Sequence, residues 1–316
     1  MKAFALDEFE EPGSIHELLA PEPATDQVKV KIAAAGLNPF DASVANGRVK
    51  DLMEHRFPLV PGTDGSGTVE AIGEGITEWS VGDDVFGSVG KTYLGEGTLA
   101  EFTTLAAGAI ARKPSSLTHA EAAAIPVAGV TALIMADSAS LEKGDVVLVV
   151  GATGGVGSYF VQIAASRGAH VVAVCSTDNL AYARTLGASD VIDYTSDDVV
   201  DAVTSRYPDG IKAIADVRGA KEVIERLAEK IQPGGHVTSA VRSADVEALA
   251  RQNIGATNVQ GNVTTASLET LLGMLGRGEI ALPDLRTFPF TETADALAMA
   301  GSGHVRGKLI VLPTDA

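Results

Sequence analysis

The stretch that most restricts what this chain can fold into is VVLVVGATGGVGSYFVQIAA, residues 146–165. An apolar, β-branched run enters a knot of glycines and leaves it as a helix-like pattern. Glycines in such a place serve a tight turn, or a backbone cradle whose amides approach a ligand. The surroundings repeat the same alternation. DVVLVV (145–150), a helix over about 156–167, HVVAVC (170–175) and a helix over about 179–186 come first. VIDY (191–194), KAIADV (212–217) and GHVTSA (235–240) follow, with NVQGNV (258–263) expected as a sixth strand. Continuous apolar strands separated by amphipathic helices specify a doubly wound α/β fold, a parallel sheet covered on both faces. Sheets of this kind hold dinucleotides at the turn between their first strand and first helix.

The first third of the chain reads differently. QVKVKIAAAG (27–36), GSGTVEAIG (65–73) and GDDVFGSV (82–89) are short β-like runs between Gly and Pro punctuation, the pattern of a coiled all-β unit resembling a barrel. After Pro114 the sequence THAEAAAIPVAGVTALIMADSA favours helix, with Thr118 as N-cap and Glu121 as its capping partner. TTASLETLLGMLGRGEI is a helix ending near Gly278, and HVRGKLIVLP is a last strand expected to return to the first unit. The domains are expected at 1–118 and 119–263, with 264–316 returning to the first.

Charge excludes some functions. Lys and Arg number 24 against 41 Asp and Glu, a formal net charge of -17, so the surface repels nucleic-acid phosphate and anionic lipid. Cys175 is the only cysteine, which rules out an intrachain disulfide and a Cys-rich zinc site. His16, His55, His119, His170, His236 and His304 are scattered with no metal-like spacing, and no Ser-His-acid order or Cys-His pair suggests a nucleophile. MKAFALDEFEEPGS lacks the apolar core of a signal peptide, and no apolar run reaches the length of a membrane span. The expectation is a soluble, cytoplasmic chain.

Against the dinucleotide fingerprint G-x-G-x-x-G, Ala152 takes the first glycine place and Gly154 and Gly157 the other two. Alanine suits that place if its φ stays negative. The candidate cradle is therefore Ala152, Thr153, Gly154, Gly155, Val156 and Gly157, with a ligand-free glycine turn as the plain alternative. At the end of the second strand, where NAD sites carry Asp or Glu, stand Cys175, Ser176 and Thr177. No acid at that place leaves room for a 2'-phosphate, which favours NADPH over NADH.

PLVPGTDGSGTVEAIGEGITEWSVGDDVFG, the glycine turn, ARTLGASDVIDY and SGHVRGKLIVL together resemble the medium-chain dehydrogenase/reductase superfamily. They are similar, more narrowly, to its zinc-free quinone oxidoreductase (zeta-crystallin-like) branch, over nearly the whole chain. The resemblance implies a Rossmann domain with a GroES-like β-barrel catalytic domain. Zinc alcohol dehydrogenases of the superfamily hold their metal in stretches matched here by GLNPFD and GTD, which puts Asn38 and Thr63 in ligand places. With Asp64 alone beside them no zinc set results, and the cysteine-rich structural zinc lobe is absent.

Hydride transfer from NADPH to an electrophilic carbonyl or quinone is the implied chemistry. By the same resemblance Asn38 contacts the nicotinamide or substrate, Thr131 the nicotinamide carboxamide, and Ser176 and Tyr194 the 2'-phosphate. Ala240 and Val241, at the end of the fifth strand, and Lys308, on the last, complete the expected cofactor contacts. A turn asparagine, a helix threonine and a surface lysine remain the alternatives for Asn38, Thr131 and Lys308. Asp41 is read as structural. Two departures weaken the match: Asn179 stands where many relatives place a phosphate-binding lysine, and Ser43 where several carry a tyrosine. An enoyl-thioester reductase and an NADPH-binding protein with little turnover remain alternatives. A homodimer joined through the sheet edge near Val259–Val263 is expected.

Overall fold

Val28, Val30 and Ile32 alternate with Lys29 and Lys31, so one face of this segment enters a core and the other leaves it. The computed structural model, which describes residues 1–313, places them in an eleven-residue strand. The first unit opens with β1 (Lys2–Ala5), β2 (Ser14–Glu17), β3 (Gln27–Leu37), α1 (Pro39–Ala45), β4 (Glu54–Val60) and β5 (Asp64–Ile72). It continues with β6 (Asp84–Ser88), β7 (Tyr93–Glu96), β8 (Phe102–Ala106), β9 (Ile110–Arg112), α2 (His119–Ala123) and the start of α3 (Pro126–Ala139). β3 pairs antiparallel with β5 and β8, and β5 with β6, around a core that includes Leu99, Leu105, Ile110 and Trp79. Gly36 lets α2 lie against β3: a Cβ there would meet the Ala123 carbonyl at 2.1 Å. Thr118 accepts from the Glu121 amide at 3.2 Å and Glu121 reaches back to the Thr118 amide at 2.8 Å, the expected capping box.

The second unit carries the parallel sheet. Its elements are β10 (Val146–Val150), α4 (Gly155–Ser166), β11 (His170–Cys175), α5 (Leu180–Thr185), β12 (Asp190–Asp193), α6 (Val199–Arg206) and β13 (Ile211–Asp216). α7 (Lys221–Leu227), β14 (Ile231–Ser239), α8 (Val246–Ala250) and β15 (Gly255–Asn258) follow. The strand order is β12-β11-β10-β13-β14-β15, every pair parallel. The order reverses between β10 and β13, the place where such sheets take ligands. Leu148, Val172, Ile214 and Val237 lie fully buried, and helices flank the strands as the apolar runs required.

The sixth strand is displaced from its expected position. It runs over Gly255–Asn258, and 259–263 is not a strand. Asn258 ends the pairing by turning its side chain onto Ala244, donating to the carbonyl at 3.0 Å and accepting from the amide at 3.3 Å. The free sheet edge is accordingly β15 rather than Val259–Val263.

After α9 (Thr265–Gly276) come β16 (Leu285–Pro289), α10 (Thr293–Ser302) and β17 (Lys308–Leu312). β17 sits between β16 and β3, the expected return to the first unit. That unit comprises Met1–Val127, Val263–Leu272 and the chain from Asp284 onward; the second comprises Ala128–Asn262 and Gly273–Pro283. Gln162 ties the latter segment to α4, accepting from the Ala281 amide at 2.7 Å and donating to its carbonyl at 3.1 Å.

Candidate functional site

In the second unit, β10 delivers the chain to Gly151, whose φ of +87° falls in the left-handed region that glycine enters freely. A Cβ there would also meet Arg218 Cγ at 2.5 Å and Val217 Cγ2 at 2.8 Å. With the positive φ on Gly151, Ala152 stays outside that region and is fully buried. Gly157 permits a second close approach, since its Cβ would stand 2.2 Å from the Gly151 carbonyl. Gly154 caps α4, and Ser158 Oγ donates back to the Gly154 carbonyl at 2.7 Å. The amides of Gly155, Val156 and Gly157 open this twelve-residue helix and have no preceding carbonyl to bond. Together with the helix dipole they form an anion-accepting end, so the residues present suit a dinucleotide pyrophosphate. Of the six predicted cradle residues, Ala152, Thr153 and Gly154 form the turn, and Gly155, Val156 and Gly157 begin α4.

Beyond β11, Ser176 precedes a single 3-10 turn, Thr177–Asn179, and Asn179 Nδ2 donates to Ser176 Oγ at 3.0 Å. A carboxylate does reach this strand end. Asp193, at the end of the adjacent β12, accepts from the hydroxyls of Thr177 at 2.5 Å and Thr195 at 2.7 Å. The expected acid-free stretch covers only Cys175 to Thr177: Asp178 follows in the 3-10 turn, and Asp193 reaches Thr177 from the neighbouring strand. Those hydroxyls hold the Asp193 carboxyl below the usual carboxylate range, while burial, then Asp193, pushes the Cys175 thiol up to about 11. Tyr194 is half exposed.

At the ends of β13 and β14, Ala240 donates its amide to the Asp216 carbonyl at 3.0 Å and Val241 donates to Ser239 Oγ at 3.2 Å. Arg242 next to them adopts φ +59°, an uncommon strain for a non-glycine residue. Buried Asp216 organises this corner. It accepts from the amides of Arg218 (2.9 Å), Gly219 (3.1 Å) and Ala220 (3.2 Å) and from the Ser243 hydroxyl. Sequence reasoning missed it, although an acid closing the apolar run KAIAD before Val-Arg-Gly was a usable signal. Thr131 lies buried in α3.

In the first unit, β3, β5 and β17 converge on a buried polar cluster. Asn38 is the N-cap of α1, and its amide donates to Asp41 Oδ2 at 2.7 Å. Thr63 Oγ1 donates to Asp41 Oδ1 at 2.6 Å. Asn38 Nδ2 donates to Asp64 Oδ2 at 2.9 Å, and the Val127 amide donates to the same carboxylate at 3.2 and 3.3 Å. Lys308 Nζ donates to the Leu37 carbonyl and to Asn38 Oδ1, both at 2.8 Å, and lies 3.6 Å from Asp64 Oδ2. Lys308 is 3% exposed, so it is no surface lysine. Burial pushes the Asp41 carboxyl up to about 6, the Asp64 carboxyl upward and the Lys308 ammonium downward.

This donor set does not fit a zinc ion. The asparagine oxygen is engaged by an ammonium that would repel a dication, leaving a hydroxyl and two carboxylates already bonded to protein groups. Among the described residues no group of three or more His, Cys, Asp or Glu is placed to hold a metal. No helix among them is long and apolar enough to cross a membrane.

One constellation that sequence order did not suggest also forms here. Ser66 Oγ lies 2.8 Å from His119 Nδ1, and His119 Nε2 lies 3.8 Å from Asp84. Ser66 is fully buried and donates its proton to the Val85 carbonyl at 2.9 Å, so it accepts from His119 and is no nucleophile.

Comparison with known proteins agrees with both halves. The alcohol dehydrogenase GroES-like domain family matches residues 24–115, and the zinc-binding dehydrogenase family matches residues 155–264. A chloroplast envelope quinone oxidoreductase homolog of Arabidopsis thaliana is 31% identical over 93% of this chain and 92% of its own. An NADPH-dependent alkenal/one oxidoreductase of the same plant is 31% identical over 94% of this chain and 74% of its own. The solved quinone oxidoreductase of Coxiella burnetii superposes with a TM-score of 0.89 at 28% identity, covering 99% of both chains. Similarity sustained through both units, over a glycine turn built for a dinucleotide, decides the family: the chain belongs to the quinone oxidoreductases of the medium-chain dehydrogenase/reductase superfamily.

Proposed function

We propose that this protein is a zinc-independent, NADPH-dependent reductase of quinones, enones or 2-alkenals. The observation that carries the reading is the turn from Gly151 to Gly157, with its helix-start amides open to an anion. Bound NADPH supplies the hydride. The amides of Gly155 to Gly157 hold its pyrophosphate within the cradle of Ala152, Thr153 and Gly154, Ser176 and Tyr194 meet the 2'-phosphate, and Ala240 and Val241 border the cofactor from β14. Thr131 holds the nicotinamide carboxamide. Asn38 gives a hydrogen bond to the nicotinamide or to the substrate carbonyl, and solvent or a ribose hydroxyl returns the proton. Positioning, rather than a strong acid, then carries most of the rate. The relative named for alkenals supports the substrate class, and the ammonium among Asn38, Asp64 and Leu37 supports independence from zinc. A homodimer joined at the β15 edge belongs to the same reading, because an open edge leaves backbone groups unpaired.

The test is steady-state NADPH oxidation with a panel of quinones, enones, 2-alkenals and a short enoyl-CoA, alongside metal analysis of the purified protein. Turnover on quinones or enals without bound zinc is expected. Turnover on the thioester alone would make the protein an enoyl-thioester reductase. No turnover on any substrate, with NADPH still binding, would make it a binding protein.

A further inference from the structure

Lys308 reaches Asn38 from 270 positions away, and the chemistry of the contact is one-sided. An ammonium only donates and an ionised carboxylate only accepts. Asn38 is held between the two, its Oδ1 on Lys308 at 2.8 Å and its Nδ2 on Asp64 at 2.9 Å. Rotating the carboxamide by half a turn would set its NH2 against the ammonium and its oxygen against the carboxylate. Both contacts would become repulsive, so the amide has one orientation.

Lys308 has three protons to give. Two go to Leu37 O and Asn38 Oδ1, and the third side of the ammonium faces Asp64 Oδ2 at 3.6 Å. At 3% exposure the ammonium is enclosed by these protein groups and not by solvent. Asn38 keeps one Nδ2 hydrogen beyond its bond to Asp64, and the Lys308 N–H on its oxygen polarises the amide and strengthens that hydrogen as a donor.

We infer that Lys308 is a positioning residue: it fixes and polarises the Asn38 carboxamide so that one Nδ2 hydrogen is presented to the reacting carbonyl or the nicotinamide. The inference rests on Asn38 meeting a ligand, as proposed above. It replaces a direct cofactor contact by Lys308 with action through Asn38.

Two double variants separate positioning from charge neutralisation. Asp64→Asn/Lys308→Met removes both charges and the donor to Asn38 Oδ1. Asp64→Asn/Lys308→Gln removes both charges and restores an N–H donor. With 15N-labelled protein, the Asn38 side-chain amide is identified by its loss in Asn38→Asp, and its hydrogen exchange is followed beside the thermal midpoint. In the Met variant exchange should quicken about tenfold or more relative to the Gln variant, at similar thermal midpoints. In quinone turnover, kcat of the Met variant should fall about 10- to 100-fold, with KM and NADPH affinity within about threefold of wild type.

Equal exchange in the two folded double variants would overturn the inference, leaving neutralisation as the role of Lys308. So would a Met-specific loss of NADPH affinity, which would mark a direct cofactor contact. If the Met variant does not fold, Lys308→Gln in the otherwise native chain decides: retained protection supports positioning, and lost protection in a folded protein refutes it. Absence of turnover in the wild type would defeat the proposed function, while the exchange comparison would still decide the role of Lys308.

Discussion

Asp193 and Thr177 join the ends of two neighbouring strands, the carboxylate accepting from the hydroxyl at 2.5 Å just beyond β11. Under the proposed function, in which Ser176 and Tyr194 meet the 2'-phosphate, the pair sets a negative charge beside the group by which NADPH and NADH differ. Replacing Asp193 by Asn should tighten NADPH binding about three- to tenfold at low salt and leave NADH within about twofold. Calorimetric titration of both cofactors at low and high salt checks this, because screening should shrink the NADPH gain. Equal gains for both cofactors would show that Asp193 does not face the 2' position.

Gly151 combines a positive φ with a filled space, so Gly151→Ala should lower stability by about 1–3 kcal/mol. Arg218 Cγ at 2.5 Å and Val217 Cγ2 at 2.8 Å would both have to yield to an added methyl. The turn should open, and NADPH affinity should fall further than stability alone explains. Denaturant titration and calorimetry on the same preparation measure the two effects.

Asp41 titrates near pH 6 in the folded chain against about 3.8 in the unfolded one. Between these values the folded state holds a proton that the unfolded state has released. Stability contributed by this group therefore rises as pH falls through about 6 and levels off near 4, with a slope approaching about 1 kcal/mol per pH unit. Thermal midpoints of wild type and Asp41→Asn at steps from pH 7.5 to 4.5 should diverge in that sense, wild type gaining on the variant. Parallel curves would refute the raised value.

Cys175 is buried, with its thiol pushed up to about 11. Alkylation by iodoacetamide at pH 8 should therefore run at least about 100-fold slower in the native protein than in denaturant, where the thiolate is far more populated. Fast native labelling would mean that the end of β11 opens in solution.

What the sequence made legible was local. β10, the turn and α4 are contiguous, and periodicity marked them because each buries its apolar face within a few residues. β15 was misplaced because Gly-Ala-Thr-Asn carries little hydrophobic signal. It is held by backbone pairing to β14, while the valines expected to form it lie outside the ladder. Asp193 was hidden for a different reason: it acts on the end of β11 from another strand, and register is invisible in a single chain. The cluster around Asn38 was half visible. Asn38, Thr63 and Asp64 stood out as a group, but Lys308 could be read equally as a surface residue until β17 was seen between β16 and β3.

The place of β17 has a consequence for synthesis. At a ribosomal pace of about 5–20 residues per second, the first β-strands wait on the order of ten seconds to a minute for Lys308–Leu312 to emerge. Until then β3 lacks its partner on that side, Asp64 lacks its counter-charge, and the sheet offers an open seam to any passing strand. The parallel sheet of β10 to β15 can be completed earlier, since all its strands precede residue 259. A nascent chain stalled before residue 308 should be a chaperone client at its amino-terminal end while its nucleotide-binding half is already native.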